Sequence, residues 1–410
     1  MSKFIEYYKK AKKKSIPEIA SIIWFKIYYR IVLLIYAIFR LLPVDKKMIS
    51  FSSEGDYCDN SWALYQYIKN RYLSYHFVWL TLQDKIYNKD KRTLFVYFPH
   101  GFTIKSAWYI ARSKYIFFTH GLGGDLKPRK GQIVFNLWHG IPFKGIKGGV
   151  ANSKRKPTFN YLSYSGPMNK KQMAMFLRCD EKYLVQLGMP RFDLLIDNKD
   201  FGYNNPFVPN DFKGKVVIWM PTFRKSINKS LSEDIETSTG LPLLNTTEDI
   251  RELNEYLKER NVIIILKIHH LQAEEPTFKL KFSNLLFIKD NMLAEKGIQL
   301  YQMLGKTDAL ISDYSSVGID YLLVDKPMGF ILNDMNDYEK SRGTFLYSDI
   351  KDVLAGTYIY TIKDFHNFID EISQGIDSTK EKRDKLLPHM IASSDDHNCE
   401  RICNFCGIKE

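Results

Sequence analysis

At 410 residues, 45% of them hydrophobic and 14% aromatic, the chain is long enough for two domains with full cores. Its net charge of +13 is unevenly placed: residues 1–47 hold eleven Lys and Arg against Glu6, Glu18 and Asp45, a local +8, while the other 363 residues carry +5. A local basic excess, without a zinc-finger, RNA-recognition or basic-zipper pattern, excludes nucleic acid as the partner.

The N-terminal segment, residues 1–45, begins with Lys9-Lys10-Ala11-Lys12-Lys13-Lys14 and continues as the apolar run Ile19–Leu42. Its length would suffice to cross a bilayer. Lys26, Arg30 and Arg40 argue against a span, because at 100° per residue they fall within one arc of about 80° and leave Trp24, Ile27, Ile31, Leu34, Ile35 and Ile38 elsewhere. A helix lying in the interface with its apolar side down accommodates both features, and the preceding lysines would meet anionic lipid at roughly 1 kcal/mol each. The expectation is a peripheral protein on the cytoplasmic face of the cell membrane. A helix packed on the protein's own core is the competing reading. A signal peptide fits poorly, since the apolar run is charged and no small-residue cleavage site follows.

Beyond this segment, strand-like and helix-like patterns alternate. Short apolar runs stand at Met48–Phe51, Phe77–Leu80, Leu94–Phe98, Tyr115–Phe118 and Ile133–Leu137, with helical patterns at Trp62–Tyr72 and Ile104–Arg112. Continuous apolar strands alternating with helices predict a parallel sheet covered on both faces. The stretch Asp197–Asp211, with Gly202, Pro206 and Pro209, reads as a linker. The pattern then repeats at Val216–Met220, Val262–Ile268, Leu285–Ile288, Ala309–Ile311 and Met328–Leu332, with helices Glu248–Arg260 and Glu295–Leu304. The polar insertion Lys225–Thr247 lacks periodicity and reads as a mobile loop. The expected fold is α/β, with two Rossmann-type doubly wound domains (residues 46–200 and 201–395) facing a cleft, and a C-terminal helix or tail at 396–410.

Five cysteines, an odd number, suit a reducing compartment. Cys399, Cys403 and Cys406 with His397 invite a zinc reading, but no second Cys-x2-Cys supports it, and an amphipathic final helix is the better account.

Chemistry gathers at strand ends. Asp308-Ala-Leu-Ile-Ser312-Asp313-Tyr314-Ser315-Ser316 reads as a strand opening onto a helix N-terminus, where backbone N–H groups and hydroxyls can hold phosphate. Arg224 follows one strand of the same half, and Lys267, His269 and His270 follow another. Cations and hydroxyls converging on one crevice suit a diphosphate whose charge grows as its bridging bond breaks. In the first half, Trp138-His139-Gly140-Ile141-Pro142-Phe143-Lys144 leaves a strand, and His139 at the cleft could accept a hydroxyl proton near neutral pH. A structural histidine is the alternative.

As an ordered set these pieces resemble the CDP-glycerol:polyol-phosphate glycerophosphotransferase family of teichoic-acid synthesis. They are Phe51-Ser52-Ser53 with Asp59-Asn60, Trp138 to Lys144, Leu187-Gly188-Met189-Pro190-Arg191-Phe192-Asp193, Pro221-Thr222-Phe223-Arg224, Lys267-Ile268-His269, Ser312 to Ser316 with Asp320-Tyr321, Lys326-Pro327, Tyr338 and Arg342-Gly343. The resemblance, over about residues 48 to 405, implies a GT-B-like fold, membrane association and inverting transfer without a metal or other cofactor. It implies His139 as general base and His269 at the donor phosphates with Arg224, Ser315 and Ser316. The matched motifs also place Lys267, Asp313 and Arg342 on the donor side, and Gly140, Lys144, Arg191 and Asp193 on the acceptor side. Two departures stand out: His270 where the family usually has Pro, and Asp396-His397 where Asp-Gly is usual.

The implied reaction moves a polyol phosphate from a CDP-alcohol, CDP-glycerol or CDP-ribitol, to a lipid-linked glycan or polyol-phosphate acceptor, releasing CMP. Little covalent chemistry is asked of the protein beyond positioning and charge stabilisation. Asp313 and Asp320 could hold a metal, but such a pair on one turn serves equally as helix cap and structural partner. A GT-B glycosyltransferase using a nucleotide sugar and a non-catalytic binding protein are the competing classes. The central expectation is that two imidazoles, one from each lobe, meet around the donor ester.

Overall fold

The computed structural model describes residues 16–83, 90–97, 103–122, 128–143, 157–196, 205–222, 239–268, 276–342 and 345–410. In the first half the helices are α1 (Ile16–Phe39), α2 (Asp59–Arg71), α3 (Ile104–Arg112), α4 (Lys170–Leu177) and α5 (Arg191–Ile196). The strands are β1 (Asp45–Ser52), β2 (His76–Thr81), β3 (Thr93–Tyr97), β4 (Ser113–Phe118), β5 (Ile133–Asn136), β6 (Tyr161–Tyr164) and β7 (Leu184–Gln186). They form one parallel sheet in the order β3-β2-β1-β4-β5-β6-β7.

The second half contributes β8 (Lys215–Trp219), α6 (Thr247–Glu259), β9 (Val262–Lys267), β10 (Leu285–Ile288), α7 (Asp290–Lys296), α8 (Leu300–Leu304), β11 (Ala309–Ser312) and α9 (Val317–Asp320). It continues with β12 (Met328–Ile331), α10 (Met335–Arg342), β13 (Thr357–Ile359), α11 (Ile362–Gln374), α12 (Lys380–Met390) and α13 (Asn398–Cys406). Its parallel sheet runs β10-β9-β8-β11-β12-β13. Both sheets reverse direction beside their first strand, between β1 and β4 and between β8 and β11. Ligands of such sheets bind at the carboxyl ends of the strands at this reversal.

Burial explains why the central strands read as unbroken apolar runs. Ile49, Phe51, Trp79, Phe117 and Phe135 pack on one face of the first sheet, and Val78, Leu80, Ile116, Phe118 and Val134 on the other. Phe51 stacks between Trp79 and Phe117, with ring centroids 5.5 and 5.6 Å away. Three strands escaped the sequence pattern. β6 carries Ser163, whose hydroxyl donates to the Gly188 carbonyl; β7 has three residues; β13 lies at an edge, half covered.

Two other expectations change. The helix expected over 295–304 is two, α7 and α8, because Gly297 adopts the left-handed conformation (φ +70°) and ends the first. The insertion expected to be a mobile loop is packed where it is described: Leu241 and Leu244 are buried in one cluster with α6 and β9, buried Thr239 donates to the Leu244 carbonyl, and Thr246 caps α6. Its residues 225–238 lie outside the described residues.

α1 divides the apolar positions of the N-terminal run between two faces. Val32 and Tyr36 are buried in the first domain's core, with Tyr28, Tyr29 and Phe39 packed around them and Phe39 edge-on to Trp108 of α3. Arg129 donates to the carbonyls of Arg40 and Leu42 and so caps the C-terminal end of this helix. On the opposite side Ile27, Ile31, Leu34 and Ile38 stay exposed, Leu34 by 66%. Own-core packing and an outward apolar face therefore coexist. The lysines at 9–14 lie outside the described residues.

The chain ends on the first domain. Ser165 and Asn169 donate to the Met390 carbonyl at the end of α12, and α13 packs against α2 and α5. Cys399, Cys403 and Cys406 face this core, their thiols pushed up by burial. His397 is exposed beside Asp396 and Glu400.

Candidate active site

The rim of the first sheet is built by two strained loops. After β1, Gly55, Asp56, Tyr57 and Asp59 all have positive φ, and the Asp56 carboxylate holds the loop by accepting the backbone N–H groups of Leu82 and Gln83. After β5, the Asn136 side chain accepts the N–H of Trp138, which itself sits at φ +56°, and Asn60 donates to the Trp138 carbonyl. Left-handed non-glycine residues cost free energy and persist only where the surroundings over-determine them. Their effect here is a tight turn that brings His139 to the rim.

His139 is largely buried. Burial first, then the nearby His120 and Arg191 charges, hold its imidazole down at about 4, with Asp59 and the Thr119 carbonyl acting in opposition. The ring is therefore neutral at pH 7 and able to accept a proton. Its Nδ1 is buried without a hydrogen-bond partner among the described residues. His120, just after β4, stacks on it: ring centroids lie 3.8 Å apart with planes 1° from parallel. Sequence reasoning missed His120, although its position at the end of a central strand was readable.

The facing wall comes from the second domain. Tyr314, stacked on Tyr338 and hydrogen-bonded to Asp334, precedes Ser315 and Ser316. A cavity of about 210 Å³ lies between the domains, lined by Trp138, His139, Gly140, Ile141, Pro142, Phe143 and Phe176 on one side and Tyr314, Ser315 and Ser316 on the other. The walls approach closely at Gly140 (φ +144°), where a Cβ would fall 2.6 Å from the Ser316 hydroxyl oxygen. Only glycine permits this juxtaposition. Ser315 and Ser316 stand just before a single α-helical turn, α9, with Ser316 at its N-cap, continued by a 3-10 turn through Val324. The strand-to-helix reading of this stretch thus needs correcting in scale: one turn offers hydroxyls and N–H groups at its start, with little macrodipole behind them.

Other expected site residues take different positions. Arg191 is buried between the domains rather than lining the acceptor side. It pairs with Asp59 at 2.9 Å and Asp320 at 2.5 Å and donates to the His139 carbonyl. Tyr301 also donates to Asp320. Asp193 is buried away from the cavity and accepts the N–H groups of Asn398 and Cys399, so it anchors the N-terminus of α13. Burial lifts its carboxyl to about 6. Asp313 is fully buried and accepts from both the N–H and hydroxyl of Thr222, fixing the loop that leaves β8. Lys267 ends β9 in an ion pair with Asp290 at 3.0 Å. Lys144, Arg224 and His269 lie outside the described residues, as does the side chain of Arg342, so the meeting of one imidazole from each lobe is outside them too. Among the described residues no cluster of three or more His, Cys, Asp or Glu could hold a metal ion.

Residues 34–406 match the family described as CDP-Glycerol:Poly(glycerophosphate) glycerophosphotransferase. The chain belongs to this family of transferases. Over 387 residues it is 26% identical to the teichoic acid poly(ribitol-phosphate) polymerase of Bacillus spizizenii, a match covering 90% of this chain and 57% of that protein. It is 25% identical over 397 residues to the teichoic acid glycerol-phosphate transferase of Staphylococcus aureus, covering 90% of this chain and 95% of the relative. The chain therefore spans little more than half of the first relative and nearly all of the second. Among solved structures, a histidine-to-asparagine variant of the wall teichoic acid polymerase TagF superposes with a TM-score of 0.70 at 19% identity, over 89% of each chain. That likeness is one of fold, and it makes the paired domains GT-B-like. The family motifs acquire physical reasons here. Gly188 has φ +76° and lies against Asn398, where a Cβ would fall 1.8 Å from its side-chain oxygen. Arg191 and Asp193, two residues apart, serve the domain interface and the C-terminal helix respectively.

Proposed function

We propose that the protein is a membrane-associated polyol phosphotransferase that moves glycerol phosphate from CDP-glycerol to a lipid-linked glycan or polyol-phosphate acceptor, in the synthesis of teichoic acid or a related surface polymer. The observation that carries this reading is the placement of neutral His139 across a narrow cavity from Ser315 and Ser316. An acceptor hydroxyl attacks the polyol-bearing phosphorus. The new P–O bond forms as the bond to the bridging oxygen breaks, CMP leaves with that oxygen, and His139 takes the hydroxyl proton. Ser315 and Ser316 hold the donor diphosphate with their hydroxyls and the N–H groups of their turn. The family motifs assign Lys267, Arg224, His269 and Arg342 to the donor as its positive charges; of these side chains only Lys267 is among the described residues. Gly140 and Lys144 belong to the acceptor side.

Family membership and the S. aureus glycerol-phosphate relative support glycerol as the polyol, and a TagF structure soaked with CDPG bears the same way. The ribitol-phosphate polymerase of B. spizizenii favours CDP-ribitol as the second reading. The membrane assignment is supported by the outward face of α1, where Ile27, Ile31, Leu34 and Ile38 would enter the interface while Val32 and Tyr36 keep the helix docked. Because α1 is held on the domain, a lying helix accounts for it better than a span. The test is a screen of CDP-glycerol, CDP-ribitol and nucleotide sugars against a polyprenyl-diphosphate-linked acceptor, reading CMP and product length. CMP release with CDP-glycerol supports the proposal. Release of a nucleoside diphosphate from a nucleotide sugar overturns it.

A further inference from the structure

A catalytic imidazole is ordinarily oriented by a hydrogen bond at the ring nitrogen that does not face the substrate. In His139 that anchor is weak: its Nδ1 is buried without a partner of normal hydrogen-bond geometry among the described residues, and the backbone hydrogen bond of Thr119 is the least of the named influences on its protonation. Its ring lies parallel to that of His120, centroids 3.8 Å apart, with the Trp138 ring 4.1 Å away. His120 is itself hydrogen-bonded at one nitrogen and faces an exposed carboxylate at the other. Its Nδ1 lies 2.8 Å from the Thr119 hydroxyl and its Nε2 lies 3.6 Å from the Glu54 carboxylate. It stands at the reversal of the first sheet, where β4 and the loop after β1 converge.

We propose that His120 is a positioning residue for His139, fixing by ring stacking the plane that a hydrogen-bonded carboxylate or carbonyl fixes in other sites. The inference rests on His139 acting as the base. Among the described residues, the charged groups facing the stacked pair are Glu54 and Asp59, which favour protonation, and Arg191, which opposes it. Burial holds the His120 ring below its ordinary range as it does that of His139. Two parallel imidazoles in contact cannot both carry a proton without strong repulsion, so His120 also keeps its neighbour free to accept one.

The experiment compares His120→Phe with His120→Ala in the full chain, labelled with ¹³C at histidine Cε1. The His139 signal is identified by its loss in His139→Gln. Phe keeps a flat ring without titration, whereas Ala removes the stack. Turnover of CDP-glycerol should fall roughly 10- to 100-fold in kcat for Ala, the scale on which a misplaced reacting group acts, with little change in donor KM. Phe should recover most of that loss. The His139 titration should move upward in both variants, further in Ala, where the ring face also opens to water. If Ala does not fold, His120→Leu, which keeps volume without planarity, replaces it. Equal rates for the Phe and Ala variants, with His139 titrating as in the wild type, would overturn the proposal. If no CDP-alcohol is turned over, the functional reading fails, and the titration arm still decides whether His120 governs His139.

Discussion

Arg191 and Asp320 form a buried ion pair, 2.5 Å from nitrogen to oxygen, that joins the two domains beneath the cavity. The same guanidinium holds Asp59 and the His139 carbonyl. One side chain thus links the backbone of the candidate base to the turn that begins at Ser315. Removing Arg191 strands the Asp320 charge in the interior, and removing Asp320 leaves the buried guanidinium with Asp59 alone.

Asp320→Asn and Arg191→Met should therefore each destabilise the protein by about 3–5 kcal/mol, while the double substitution Arg191→Met with Asp320→Leu should cost less than the two effects added. Urea unfolding of the set measures this. Additive losses would mean that the pair is not coupled.

The outward face of α1 gives a second expectation. Ile27→Glu together with Leu34→Glu should release the protein from vesicles containing phosphatidylglycerol and leave the melting temperature near that of the wild type, because both side chains are exposed. Val32→Glu should instead lower the melting temperature, since Val32 is fully buried. Undiminished vesicle binding by the double variant would remove α1 as the contact.

At the narrowest point of the cavity, Gly140→Ala should push Ser316 away, because the added methyl would come within 2.6 Å of its hydroxyl oxygen at a backbone angle of +144°. Donor affinity, read by titration calorimetry with CDP-glycerol, should fall by about tenfold or more, the effect of losing one or two hydrogen bonds to a charged group. Unchanged affinity would place the donor phosphates elsewhere.

Acid stability separates two buried groups of opposite sign. His139, held at about 4, binds a proton more readily in the unfolded chain. Its contribution, at most about 3 kcal/mol, is full above the unfolded value near 6.5 and is lost as pH falls from there towards 4. Asp193, lifted to about 6, behaves oppositely: the folded chain holds the proton more tightly, so stability from this group grows as pH falls through 6. Between pH 6.5 and 4, His139→Gln should flatten the loss of stability and Asp193→Asn should steepen it. Urea midpoints at four or five pH values test both signs.

Much of the architecture was legible because parallel strands buried on both faces leave continuous apolar runs, as in Val262–Lys267, where five of six residues are buried. β6 and β13 were hidden for the converse reason, carrying polar or half-covered residues. The break at Gly297 was legible in the residue type, but the apolar spacing ran through it. In the site, Gly140, Ser315 and Ser316, which the motifs singled out, line one cavity. His120 was legible only as a histidine at a strand end, since its partners Glu54 and His139 follow other strands. Arg191 and Asp193 look alike in the sequence as charged residues of one motif, and only the fold separates the domain bridge from the helix anchor.

The account rests on His139 accepting a proton as a polyol phosphate leaves CMP. The most direct measurement is CMP release from CDP-glycerol and CDP-ribitol by the wild type and His139→Ala, with donor binding followed in parallel by calorimetry. The account predicts a loss of roughly 10²–10⁴-fold in release with donor affinity retained. Near-wild-type release by His139→Ala would contradict it.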